Sequence, residues 1–320
     1  MFFEKYVASC LDVAMCAAMN AVQWRHHFHA NSLGELETYI GFHESMGVHD
    51  YYSVPATIDG LSCSDHEMRW QSPVRTAFAE NDLTHVDLYP CAAGWTAPTV
   101  LMLHALMSTS DAGYREWARR FNELGWNACF IHLPFHYSRK PRGFINGELA
   151  ISSDLVRTAQ GLRQGVVELR QLMQMLRERG CPGFGMWGTS YGGWIGALLS
   201  FVEADFRFIA LMSPIANVEH AIWESAAAIW MRSRLRRGGV TPPLVERFFH
   251  LTSPMHNNPL CGGEKAMLVA GAYDRIALPE DIRALHNRWQ GSELLVVPQG
   301  HFGYRMMPVT LARLQERGVF

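Results

Sequence analysis

Gly188-Thr189-Ser190-Tyr191-Gly192 has the form G-x-S-x-G, a serine held between glycines. An apolar run of strand length, Phe184 to Gly188, precedes it, and a segment rich in small residues, with Gly193, Gly196 and Ala197, follows. That context predicts an abrupt strand-to-helix turn, which strains the serine backbone and lifts its hydroxyl above the sheet. Only glycine neighbours fit around such a turn. The Tyr191 N–H then lies at a helix N-terminus, where it can donate to a developing oxyanion. A serine hydroxyl is a weak nucleophile at neutral pH, so it needs a base within hydrogen-bond reach and a carboxylate to orient that base. Asp274 follows the apolar run Ala266 to Ala272, and His301 follows Glu293 to Pro298, so both stand where open sheets gather their ligands, at strand ends. Asp281 is the rival acid, but it falls in the first turn of an expected helix, where the dipole favours any carboxylate.

The elements that must hold these residues are legible from about Ala97 onward, where strand-length apolar runs alternate with segments of helical period. Pro98 to Leu106, Asn127 to Pro134, Phe184 to Gly188, Phe206 to Pro214, Ala266 to Ala272 and Glu293 to Pro298 read as buried strands. Ala112 to Gly125, Asp154 to Gly180, the segment from Tyr191, Pro279 to Trp289 and Pro308 to Glu316 read as helices. The pattern is an α/β chain with a mostly parallel sheet covered on both faces. Trp70 to Ala92, with Thr84 to Tyr89 its clearest part, is expected to supply leading antiparallel strands. Two regions fall outside the alternation: residues 1–60, read as a helical and irregular N-terminal extension, and residues 217–260 within the 61–320 domain, read as an inserted helical cap. The insert is expected to form two helices, Val218 to Arg237 and Pro243 to Leu251.

With 48% apolar and 18% charged residues the 320-residue chain can bury a large core, and a net charge of -2 provides no field that would draw in nucleic acid. Seven scattered cysteines without a C-x-x-C pair fit reduced thiols and a cytoplasmic location. Met1 to Val22 reads as a helix and not an export signal, since Glu4 offsets Lys5 and Asp12 interrupts the apolar run. No apolar segment reaches the ~20 residues that span a bilayer. His26, His27 and His29 lack a second ligand cluster or an H-E-x-x-H motif, so no metal site and no cofactor are expected.

The second oxyanion donor is expected in the turn His104-Ala105-Leu106-Met107, with Leu106 N–H preferred and Met107 N–H left open. His136 and Tyr137, in the loop after the second strand, are expected to line the substrate pocket, with Arg139, Lys140 and Arg142 as alternatives for holding an acidic group. In the insert, Trp223 and Trp230 put apolar bulk on a helix ending in Arg232, Arg234, Arg236 and Arg237, a helix suited to cover an acyl pocket or to touch a membrane surface.

Taken together, the serine turn, the acid and the histidine resemble the α/β-hydrolase superfamily over roughly residues 84–320, and the order Ser, Asp, His is that of the superfamily. His104, Tyr114-Arg115-Glu116-Trp117 and Pro134 to Pro141 are similar to the abhydrolase domain-containing protein 18 branch. The resemblance implies a serine hydrolase acting on a small ester or acyl substrate, through an acyl-enzyme with Ser190 as nucleophile, His301 as base and Asp274 as orienting acid. Peptidase, thioesterase and acyltransferase chemistry use the same parts, and a binding protein that has lost catalysis is the different-class alternative. Oligomeric state is not encoded in any of these features.

Overall fold

Thr99–Leu103 and Ala266–Gly271 are buried at every position, and such strands require cover on both faces. The computed structural model describes residues 2–25, 29–303 and 305–320. In chain order come α1 (Phe2–Arg25), α2 (Leu33–His43), α3 (Val48–Tyr51), β1 (Ser62–Cys63), β2 (Glu67–Gln71) and β3 (Leu83–Tyr89). Alternation follows with β4 (Thr99–Leu103), α4 (Ala112–Glu123), β5 (Asn127–Ile131), α5 (Leu155–Glu178), β6 (Phe184–Thr189), α6 (Tyr191–Leu199) and β7 (Phe206–Met212). Helices α7 (Val218–Glu224), α8 (Ile229–Arg237) and α9 (Pro242–Phe248) intervene before β8 (Ala266–Gly271), α10 (Pro279–Arg288), β9 (Glu293–Val297) and α11 (Met306–Glu316).

The strands form one sheet of order β1-β2-β3-β5-β4-β6-β7-β8-β9. Pairing is antiparallel from β1 through β3 to β5 and parallel thereafter. Side chains alternate across it: Leu101, Leu103, Ile209 and Leu211 enter one apolar core, while Val100, Met102, Ala210 and Met212 enter the other. Helix α4 covers the second core with Tyr114, Trp117, Ala118 and Phe121, spaced to share one helical face.

The first expected helix of the insert is broken. Ser225 is extended (φ -61°, ψ 136°), its hydroxyl accepts from Ala227 N–H, and a 3-10 turn at Ala226–Ala228 separates α7 from α8. The break is sustained by Arg232, whose guanidinium takes the carbonyls of Ile222, Trp223 and Ser225 that a continuous helix would have used itself. Helix α1 lies against this region: Asn20 donates to Ala226 O (2.9 Å) and accepts from Trp230 N–H (2.7 Å).

Backbone strain is concentrated at one end of the sheet. Among the described residues, the non-glycine positions with positive φ are Met107, Phe135, Tyr137, Ser190 and Ser213, all just past the C-terminal ends of β4, β5, β6 and β7. No described helix is long and apolar enough to cross a membrane, and the seven cysteines are unpaired.

Candidate active site

Ser190 sits between β6 and α6 with φ 52° and ψ -113°, a conformation that costs about 1–3 kcal/mol and survives where the surroundings impose it. They do so here. Ser190 N–H is held by Met212 O at 2.9 Å, and Gly192 N–H by His104 O at 3.0 Å. A Cβ at Gly188 would stand 2.9 Å from Gly192 O, and one at Gly192 would overlap the Leu103 carbonyl, so both neighbours must be glycine for the turn to close.

Ser190 Oγ lies 2.8 Å from His301 Nε2, and His301 Nδ1 lies 2.8 Å from Asp274 Oδ2. Because a carboxylate only accepts, Nδ1 carries the proton and Nε2 is left to accept from the serine hydroxyl. The other Asp274 oxygen accepts from Ile276 N–H (2.8 Å) and Ala277 N–H (2.9 Å), which fixes the carboxylate on the loop after β8. Burial by itself would push the His301 imidazole down, but the Asp274 carboxylate and the more distant Asp12 outweigh it and hold it above its ordinary value.

Asp12 is a residue the sequence reading did not assign. It is fully buried on α1, and its carboxylate accepts from His301 N–H (3.0 Å to each oxygen) and from Arg275 N–H (3.1 Å). One side chain thereby ties the loop carrying His301 to the loop carrying Asp274. Burial raises the Asp12 pKa against these hydrogen bonds. The signal in the sequence was the acid in an otherwise apolar helical run; its use was hidden because its partners lie some 260 to 290 residues away.

Ser190, His301 and Tyr191 line a cavity of about 180 Å³, whose other walls are mostly apolar. Its roof is made by Met19 and Gln23 of α1 with Ile222, Ser225 and Met231 of the inserted segment, and Ala105, Leu106 and Met107 form one side.

No family model and no curated protein sequence matches the chain. Solved structures do. Acetyl xylan esterase 1 from Thermoanaerobacterium sp. JW/SL YS485 superposes with a TM-score of 0.61 at 13% identity, covering 91% of this chain and 100% of that one. An acetyl xylan esterase from Paenibacillus sp. R4 gives 0.60 at 12% identity, covering 94% and 98%. The α/β hydrolase GrgF from Penicillium sp. sh18 gives 0.51 at 14%, covering 79% and 96%. The chain has the α/β-hydrolase fold.

Within this α/β-hydrolase fold, several residues expected in the pocket stand elsewhere. His136 and Tyr137 are not on the cavity wall but behind it. His136 is buried, its Nε2 accepts from Met107 N–H (3.2 Å), its Nδ1 faces Pro134 O (2.9 Å), and its ring stacks on Tyr191. Burial pushes its pKa down to about 4, so it supports the turn as a neutral ring. Tyr137 reaches Ser108 Oγ at 2.8 Å. Its φ of 51°, like that of Phe135 at 68°, lies in the left-handed region. Trp223 and Trp230 are likewise absent from the wall, which takes Ala221 and Ile222 from α7, Ala227 and Ala228 from the 3-10 turn and Met231 from α8. Arg236 lies over the Trp223 ring.

Arg139 is fully buried and holds Glu168 through two hydrogen bonds of 2.6 and 2.7 Å, so it ties the loop to α5 and is not presented to a substrate. Asp281 pairs with His220 Nδ1 at 2.8 Å and takes no part in the Ser190–His301 chain. Met107 N–H is occupied by His136 and Ala105 N–H by Tyr114 Oη (3.2 Å), while Leu106 N–H and Tyr191 N–H have no hydrogen-bond partner among the described residues. Of the histidines at the end of α1, His29 pairs with Glu35 (3.0 Å), and His26 and His27 lie outside the described residues.

Proposed function

We propose that the protein is a serine hydrolase that cleaves a carboxylic ester with a short acyl group through an acyl-enzyme. The observation that carries this reading is the unbroken chain Ser190 Oγ–His301 Nε2 and His301 Nδ1–Asp274 Oδ2, 2.8 Å at each link, on a serine whose strained backbone opens into an apolar cavity. Ser190 attacks the carbonyl carbon as His301 removes its proton; the same imidazole then protonates the leaving alcohol, and water repeats the sequence to release the acid. Asp274 keeps the imidazole in the tautomer that accepts from serine and stabilises its protonated form. The unpaired N–H groups of Tyr191 and Leu106 bind the oxyanion, and occupation of Met107 N–H by His136 favours Leu106 over its neighbour. Asp12 acts through His301 as a positioning residue.

A cavity of about 180 Å³ is close to the ~150 Å³ apolar void that takes up benzene, so it suits an acyl group of a few carbons. The fold shared with acetyl xylan esterases supports the same direction. On this reading residues 217–260 serve as the cap over the acyl group, with α1 of the N-terminal extension as a second roof element. The residues that resemble the abhydrolase domain-containing protein 18 branch, among them His104, Tyr114, His136 and Tyr137, form one aromatic cluster behind the oxyanion turn, which supports a relation to that branch. A fluorophosphonate probe tests the proposal: wild type should label covalently and Ser190→Ala should not. Folded wild-type protein that resists the probe and hydrolyses no ester in an acetyl-to-octanoyl panel would overturn it.

A further inference from the structure

Strand β3 carries His85 and Asp87 two residues apart, hence on one face of the sheet. Glu67 of β2 is the cross-strand partner of Asp87. His132, just past β5, donates its N–H to His85 O (3.0 Å) and so stands opposite His85 on the other side. Three adjacent strands thus bring two imidazoles and two carboxylates together, and none of the four lines the cavity at Ser190. His85 Nε2 lies 3.1 Å from Glu67 Oε2 and 3.2 Å from Asp87 Oδ1, and His132 Nε2 lies 3.3 Å from Asp87 Oδ2. Donors bound at about 2.0–2.1 Å to a tetrahedral ion stand roughly 3.3 Å apart, and one ligand atom each of His85, Asp87 and His132 lies within 4.8 Å of the other two, close enough for a single cation to draw them in.

Proton accounting points the same way. The two Nδ1 atoms face one hydroxyl, Ser138 Oγ, at 2.7 Å from His85 and 2.8 Å from His132. A serine has one proton to give, so at least one ring must present N–H at Nδ1, and if neutral that ring has a bare lone pair at Nε2. His132 Nε2 has Asp87 Oδ2 as its hydrogen-bond partner. His85 Nε2 is buried and makes no hydrogen bond, although two carboxylate oxygens crowd it. A lone pair aimed at carboxylates is repulsive without a positive charge between them. With a metal in place, both rings donate Nδ1–H to the two lone pairs of Ser138 Oγ and turn both Nε2 atoms inward, the outer-sphere arrangement that orients ligating histidines.

We propose that His85, Asp87 and His132 form a binding site for a divalent transition-metal ion of the zinc class, with Ser138 as the outer hydroxyl that sets both imidazoles and Glu67 beside the site. Imidazole nitrogen with carboxylate oxygen, and no thiolate, selects such an ion over calcium or magnesium, which take oxygen donors almost exclusively. Three protein ligands leave the fourth position of a tetrahedral ion to water, and the ion joins β3 to the start of the loop that backs the oxyanion turn. The histidine side chains are buried while those of Asp87 and Glu67 are 23% and 41% exposed, which leaves an entry path on the carboxylate side.

The test uses the full chain, stripped with a chelator and titrated with Zn2+ by calorimetry and with Co2+ by visible absorption. One ion should bind per chain with a Kd below about a micromolar, the Co2+ bands should have tetrahedral intensity, and Tm should rise with Zn2+ concentration. His85→Gln with His132→Gln should abolish binding, and Ser138→Ala should weaken it about 10- to 100-fold. Should the histidine variant fail to fold, the partly exposed Asp87→Asn change must still weaken Zn2+ at least tenfold. No binding below a millimolar, or binding untouched by all of these substitutions, overturns the site and identifies the cluster as an imidazolium–carboxylate pair. Neither result depends on whether Ser190 is a nucleophile.

Discussion

The floor and the roof of the cavity are built in opposite ways. The floor consists of strand ends: Ser190 after β6 and Asp274 after β8, fixed by hydrogen bonds to the neighbouring strand and to its own turn, and His301 after β9, fixed by Asp274 and by Asp12 of α1. The roof consists of short helices and a 3-10 turn from α1 and the segment between β7 and β8, joined by single side-chain contacts such as Asn20 to Ala226 and Trp230. A floor of rigid strand termini can hold reacting atoms to the tolerance that chemistry needs, whereas a roof of short pieces can change its shape without disturbing them. Rate should therefore reside in the floor and selectivity in the roof.

The largest effect expected is that of Ser190→Ala, which should lower kcat by about 10⁶ for every ester alike, as measured by steady-state hydrolysis with the fold checked by circular dichroism. Residual activity within a hundredfold of wild type would place the nucleophile elsewhere. Asp274→Asn should cost about 10⁴ in kcat through loss of the correct imidazole tautomer, while Asp281→Asn should cost little. The reverse ranking in two folded variants would remove Asp274 from its role.

Asp12→Asn probes a roof helix that reaches into the floor. It should reduce kcat about 10- to 100-fold with KM little changed, since the amide cannot accept from both loops with both atoms. Its diagnostic readout is the pH profile. A general base works unprotonated, so kcat/KM falls as pH drops through the His301 pKa, which in wild type lies above the usual value of about 6.5. Loss of the Asp12 charge should move that inflection downward; an inflection that does not move would make Asp12 structural only.

The smallest effects sharpen the comparison most. Ile222→Ala or Met231→Ala should change the ratio of kcat/KM between acetyl and octanoyl esters of one alcohol by about tenfold, within the 1–3 kcal/mol that a buried apolar contact provides. Trp223→Ala and Trp230→Ala should alter both esters equally. A selectivity change confined to the tryptophan variants would reverse the assignment of the inward face.

The sheet and the floor were readable because their signals are local. Gly188 to Gly193, the Asp274 loop and Gly300-His301 each follow an apolar run of strand length, and β3 to β9 match the expected spans to within about three residues, whereas β1 and most of β2 precede the segment from Trp70 in which the leading strands were expected. The roof was not readable because its phase depends on Ser225 and Arg232 trading helix carbonyls, a tertiary choice that no periodicity records. Asp12 read as an interruption of an apolar stretch, and its service to His301 is invisible without the fold. The His85, Asp87 and His132 group was half visible: Thr84 to Tyr89 places histidine and aspartate on one face, but the third donor comes from a strand paired only through the sheet register.

The hydrogen bond from His301 N–H to Asp12 spans 289 residues of chain. During synthesis Asp12 leaves the ribosome long before the loop it must hold exists, and its buried place has no partner until the last strand has been added. The sheet can condense around β4, β6 and β7 in the interval, but the geometry of the base waits for the closing contact. At typical synthesis speeds of about 5–20 residues per second that wait lasts roughly 15–60 seconds. On the proposed mechanism, a nascent chain with its serine turn already folded gains its full rate only when both ends of this span have met.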